Sequence, residues 1–120
     1  MNRRQIANLL VLREVGIEPK LDLFRDRLAV QKTVYLAQAA GLDLGYHFGW
    51  YIRGPYCSAV AKDMFAAIAD PDGIDDAFEQ WALDETSIKQ LRRVRKMRPK
   101  AACGVYRPLR GSRGATGAGG

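Results

Sequence analysis

The stretch RLAVQKTVYLAQAAGLDLGYHFGWYIRGPYCSAVAKDM, residues 27–64, decides the fold. A cationic, apolar helical pattern runs to Gly41, and an aromatic segment follows. Gly54-Pro55-Tyr56 then turns the chain, and a second helical pattern begins. This succession predicts a mainly α domain with a small β element, a compact single helical unit for which a winged-helix-like arrangement is one option. Nothing in the stretch forms a nucleophile motif, a metal cluster or a phosphate loop, so it reads as a recognition module rather than a catalyst.

Working outward, Leu23, Val30, Val34 and Ala37 share one helical face over about residues 23–40, and Leu28, Tyr35 and Leu36 widen it. So broad a stripe predicts a central helix touched on more than one side. Gly41 sits at the C′ position that ends it. Upstream, Ile6, Leu9, Leu10 and Arg13 keep helical spacing over residues 3–15, with Gly16 and Pro19 stopping that helix. Residues 46–52, YHFGWYI, suit a short strand. Alternation sends Tyr46, Phe48 and Trp50 to one face, expected to be core, and His47, Gly49 and Tyr51 to the other.

Cys57 or Ser58 opens the next helix, where Val60, Met64, Ala67 and Ile68 share a face. Asp70-Pro71-Asp72-Gly73 reads as a turn by composition. Residues 77–83 fit either a short strand or an irregular segment. Asp84 or Thr86 can cap a last helix over about 87–98, with Ile88, Leu91 and Val94 as its apolar positions and Pro99 as its stop.

A chain of 120 residues has room for one small domain. The expected division is a helical domain over 1–98 and a basic Gly/Arg/Ala-rich tail over 99–120, too poor in apolar groups to order itself. No run approaches the roughly 18 apolar residues of a membrane span. The N-terminal apolar run is interrupted by Arg13 and Glu14 and has no small-residue cleavage site, so a cytoplasmic protein without membrane partners is expected. The net charge of +6 hides a division. Residues 1–85 carry nine Lys and Arg against thirteen Asp and Glu, whereas residues 86–120 carry ten Lys and Arg and no acid.

Catalytic signals are weak. Cys57 and Cys103 form neither a metal spacing nor a disulfide framework. His47 has no supporting motif for general-base work, and a packed or solvent-facing histidine accounts for it better. Asp75, Asp76 and Glu79 lack the glycine and ligand rhythm of a calcium loop and read as a solvated acidic face. Cys57 at a helix start would favour thiolate, but no histidine stands at a recognisable spacing, so capping or packing is the better account. No catalytic residue, metal or cofactor is expected.

Two binding surfaces remain. Tyr51, Arg53 and Tyr56 gather near the Gly-Pro-Tyr corner, with Lys32 and Gln38 on the helix before it, and tyrosine and arginine dominate interface hot spots. The alternative is a nucleic-acid surface on the last helix, where Lys89, Arg92, Arg93, Arg95, Lys96 and Arg98 could hold phosphates without reading bases.

Val30-Gln31-Lys32, Tyr35-Leu36 and Gln38, followed by Phe48-Gly49-Trp50-Tyr51 and Gly54-Pro55-Tyr56, resemble a known pattern. It is that of the YwgA-like family of small prokaryotic proteins, related to the SocA-like (Panacea) antitoxin domain, over about residues 24–70. There a Leu-Gln-Lys-x-x-Tyr-Leu helix precedes a Trp-Tyr-x-x-Gly-Pro-Tyr-Ser corner and a helix bearing an aspartate. Val30 stands at the leucine, Cys57 at the serine and Asp63 at the aspartate. The resemblance implies a mostly helical, non-enzymatic protein that binds a cognate toxin or another protein, as an antitoxin or adaptor in toxin–antitoxin and phage-defence loci.

Overall fold

The computed structural model describes residues 1–97. Arg98, Cys103 and the tail expected to be disordered lie outside the described residues. The first helix, α1 (Arg3–Val15), starts on a reciprocal cap: Asn2 Oδ1 accepts from the Gln5 N–H at 2.8 Å, and the Gln5 side chain accepts from the Asn2 N–H at 3.0 Å. Gly16, at φ 90°, ends it in the left-handed region. The Ile17 N–H then turns back to the Leu12 carbonyl at 2.9 Å.

α2 (Phe24–Ala39) closes in the same way. Gly41, at φ 120°, lets the Leu42 N–H reach the Ala37 carbonyl at 3.1 Å. After a loop come β1 (Gly49–Tyr51) and β2 (Gly54–Tyr56), an antiparallel pair with Gly49 opposite Tyr56, Trp50 opposite Pro55 and Tyr51 opposite Gly54. Three helices complete the described chain: α3 (Ser58–Ile68), α4 (Pro71–Gln80) and α5 (Glu85–Met97). The fold is mainly α with a small β element.

α1 packs on all four other helices, and α2 packs on α1, α3, α5 and β2. Two apolar clusters result. Leu9, Leu12, Val30, Val34, Val60, Met64 and Ala77 form the larger, joining α1 and α2 to α3 and α4. Val11, Val15, Ala37, Leu91 and Val94 form the smaller, joining the opposite sides of α1 and α2 to α5. The width of the α2 stripe is thus explained, because the helix is covered from both sides.

Four expectations need correction. Asp70-Pro71-Asp72-Gly73 is the start of α4, with Asp70 as N-cap accepting from the Gly73 N–H at 3.1 Å and Pro71 as the first helical residue. Ala77 to Gln80, read as strand or irregular, are therefore helical. The strand is three residues rather than seven, and the Gly-Pro-Tyr corner is itself the returning strand. Trp50, expected in the core, is 69% exposed: its ring meets α2 only through the edge contact with Tyr35, and the rest of it faces solvent.

Candidate functional site

The hairpin is held by side chains on one face of α2. Gln31 and Gln38 are seven residues apart, two helical turns, and so point the same way. A primary amide offers one acceptor and two donors, which matches the N–H and C=O of a peptide unit. Gln31 Oε1 accepts from the Cys57 N–H at 2.9 Å, and its Nε2 donates to the Cys57 carbonyl at 3.0 Å. Gln38 does the same to Tyr46, accepting from its N–H at 2.8 Å and donating to its carbonyl at 3.1 Å. Segment 46–57 is thus clamped at both ends, and the ribbon between the clamps projects outward.

A polar network fixes the first clamp from below. Asn8 Nδ2 donates to the Tyr46 hydroxyl at 2.7 Å, and that hydroxyl donates to Asp63 Oδ2 at 2.6 Å. Arg4 Nε lies 3.4 Å from the same carboxylate, and its guanidinium stacks 4.4 Å over the Tyr46 ring. Burial first, then the hydrogen bond to Asp63, pushes the Tyr46 hydroxyl pKa far above its ordinary value, so it remains a neutral donor. Asn8 is fully buried and its Oδ1 has no partner among the described residues.

The projecting ribbon exposes apolar surface. Ile52 is fully exposed, Tyr51 is 65% exposed and Tyr56 is 43% exposed, alongside Trp50. These rings are ordered by one another: Tyr51 stands edge-on to Tyr56 at 5.8 Å, and Trp50 edge-on to Tyr35 of α2 at 5.3 Å. Arg53, at the tip, lies 5.5 Å over the exposed ring of Phe24. Beside the ribbon is a cleft of about 470 Å³ bounded by Arg4, Tyr46, His47, Tyr51, Tyr56 and the start of α3.

Of the residues singled out in the sequence, Tyr51, Arg53 and Tyr56 come together on this hairpin. Lys32 is exposed on α2. Gln38 is half-buried and its amide is engaged on Tyr46. Lys89, Arg92, Arg93, Arg95 and Lys96 are all exposed on α5, which packs on α1 and α2 and not on the hairpin. His47 is exposed at the cleft, and Cys57 is buried without capping α3 through its side chain. No group of three or more His, Cys, Asp or Glu side chains that could hold a metal occurs among the described residues. No helix among them is long and apolar enough to cross a membrane.

The sequence did not single out Asn8, Arg4 or Ile52 as site residues, and Gln31 stood there only as part of the resemblance, with no role. A glutamine inside an apolar helical stripe, as Gln31 is, must find partners when buried, and this was the available signal. No protein-family model, curated protein or solved structure matches the chain.

Proposed function

We propose that this chain is a non-enzymatic protein-binding module, an antitoxin or regulatory adaptor of a prokaryotic toxin–antitoxin or phage-defence locus, with the hairpin as its docking surface. One observation carries the reading. Trp50 on one face of the ribbon, Tyr51 and Tyr56 on the other, and Ile52 near its tip leave exposed apolar surface on a ribbon braced by two glutamine clamps. Exposed aromatic clusters of this kind mark interaction sites. A braced ribbon also loses little conformational freedom on docking. The antitoxin part of the reading rests on the resemblance to the SocA-like (Panacea) domain. Gln31, Gln38, Trp50, Tyr51 and the Gly-Pro-Tyr triplet, which carry that resemblance, are the residues that hold and build the hairpin. Arg53 supplies charge at its tip, and Lys32 is an exposed cation on α2.

The test is a photo-crosslinking amino acid at Tyr51 and, separately, at Asp76 on α4, in the native host. A partner trapped from Tyr51 and not from Asp76, and released by Trp50→Ala, is the expected result. Each hot-spot truncation should cost about 2 kcal/mol or more of affinity. Equal trapping from both positions would refute the assignment.

A second reading has its own observation. Lys89, Arg92, Arg93 and Lys96 follow three- and four-residue spacing, so α5 offers a continuous cationic stripe to solvent opposite buried Leu91 and Val94. Such a stripe suits phosphate backbones. Binding to a DNA or RNA duplex that weakens steeply with salt and is indifferent to sequence would support it. Absence of binding at low salt would remove it.

A further inference from the structure

We propose that the outer edge of β1 pairs with an extended, acidic segment of a partner protein. This rests on the reading of the hairpin as a protein-docking surface and adds the chemistry and backbone form of what docks.

Pro55 has no N–H. It stands opposite Trp50, so that pair cannot exchange hydrogen bonds, and the flanking pairs Gly49–Tyr56 and Tyr51–Gly54 must do so. In an antiparallel ladder the non-bonded residue turns its own N–H and C=O to the other side. Trp50 therefore presents both groups along the edge away from β2. β2 packs on α2, whereas no described helix or strand other than β2 runs beside β1. An unpaired edge of this kind is a template for an added strand.

Residues 44–62 contain no Asp or Glu, while His47, Arg53 and Lys62 lie among them. Residues 27–42 likewise contain Lys32 and no acid. The ion pairs among the described residues are Arg4–Asp63 and Lys20–Glu18, so Arg53 and Lys32 have no carboxylate partner. A carboxylate-bearing strand beside β1 would meet Arg53 at the tip, where the Phe24 ring already orients the guanidinium. The exposed acids of α4, Asp72, Asp75, Asp76 and Glu79, sit on a helix and cannot pair with a strand edge, which disfavours a second copy of this chain as the occupant. A three-residue strand contributes few backbone bonds, so the carboxylates and the aromatic rings carry selectivity.

The probe is a fluorescent octapeptide of alternating Glu and Val, compared with versions bearing Gln or Lys in place of Glu. Each is titrated into the full chain at low and high salt, with backbone amide NMR signals recorded in parallel. The Glu peptide should bind at least roughly tenfold tighter than the Gln peptide and lose that margin in high salt. The Lys peptide should not bind, and the Trp50 amide signal should shift. Arg53→Gln with Lys32→Gln, both exposed and therefore neutral for folding, should remove the preference for Glu. Equal binding of the Glu and Gln peptides with a Trp50 shift would overturn the acidic preference while leaving the hairpin as a docking surface. No Glu-peptide binding at about 1 mM, the millimolar limit of weak association, would overturn the proposal. Concentration-dependent shifts at both β1 and α4 without peptide would overturn it in favour of self-association. The crosslinking at Tyr51 decides the docking reading separately from all of these.

Discussion

Replacing Gln31 with leucine tests whether the clamps hold the hairpin. Gln31 is only 4% exposed and makes its two bonds to a single peptide unit. Leucine fills a similar volume and makes neither bond. The Cys57 carbonyl would keep acceptor duty, because the Val60 and Ala61 N–H groups already donate to it at 3.1 and 3.3 Å. The loss therefore falls on the Cys57 N–H, left buried without a partner, at a cost of roughly 1–3 kcal/mol. In a domain of this size each kcal/mol lowers the thermal midpoint by roughly 4–8 °C. Gln38→Leu should cost less, about 0.5–1 kcal/mol, because its bonds are half-buried and water can replace them.

Gln31→Glu adds a pH signature. A carboxylate here faces the Cys57 carbonyl oxygen in a buried site, which raises its folded pKa above the unfolded value of about 4.3. The unfolded chain then ionises first as pH rises, so the variant weakens above about pH 4.3 until its folded pKa is passed. Below that window the protonated acid can donate to the carbonyl again, and the deficit against wild type should shrink. Urea denaturation followed by circular dichroism, with hydrogen exchange at the Cys57 amide, reads all three variants. A Gln31→Leu cost under about 0.5 kcal/mol, well below that of an orphaned buried donor, or equal costs at Gln31 and Gln38, would refute the clamp argument.

Tyr56→Ala should leave the fold nearly intact, since the ring is half-exposed and its edge contact with Tyr51 contributes about 0.5–1.5 kcal/mol; a melted domain would make it a core residue instead. Tyr46→Phe leaves Asn8 Nδ2 without its acceptor and Asp63 without its donor, and should cost roughly 1–3 kcal/mol at neutral pH. Because burial raises the folded pKa of Tyr46 above its ordinary 10.0, the unfolded chain ionises first above that pH, and wild type loses stability that the Phe variant keeps. The gap between the two should therefore narrow by about 1.4 kcal/mol per pH unit above pH 10, and a constant gap would refute the neutral-donor assignment. Asp70→Ala removes the α4 cap and should cost about 0.5–2 kcal/mol in urea titrations; no change would leave α4 to packing alone.

Local chemistry determined what could be read from the sequence. Gly16 and Gly41 end α1 and α2 because only glycine takes their positive φ without strain, and that requirement needs no knowledge of the rest of the chain. Val60, Met64 and Ala67 on α3, and Leu91 and Val94 on α5, are buried as their spacing demanded. The Asp84 cap of α5, accepting from the Ser87 N–H at 2.7 Å, was equally local. Asp70-Pro71 was ambiguous because the same residues suit a free turn and a helix start. The choice was made by Ile74, Ala77 and Phe78, which pack into the larger cluster against α1 and α3.

Trp50 followed strand alternation to the side of the ribbon where Tyr35 of α2 lies, but alternation does not say how much of a ring the helix behind it covers. That is a matter of how the helix and the ribbon stack. The clamps lie further still from local reading. Gln31 reaches Cys57 across 26 residues, and Asn8 reaches Tyr46 across 38. Side-chain type says that a buried amide needs a partner, and only the packing of α1, α2 and α3 against one another and around Tyr46 and Cys57 chooses which partner it finds.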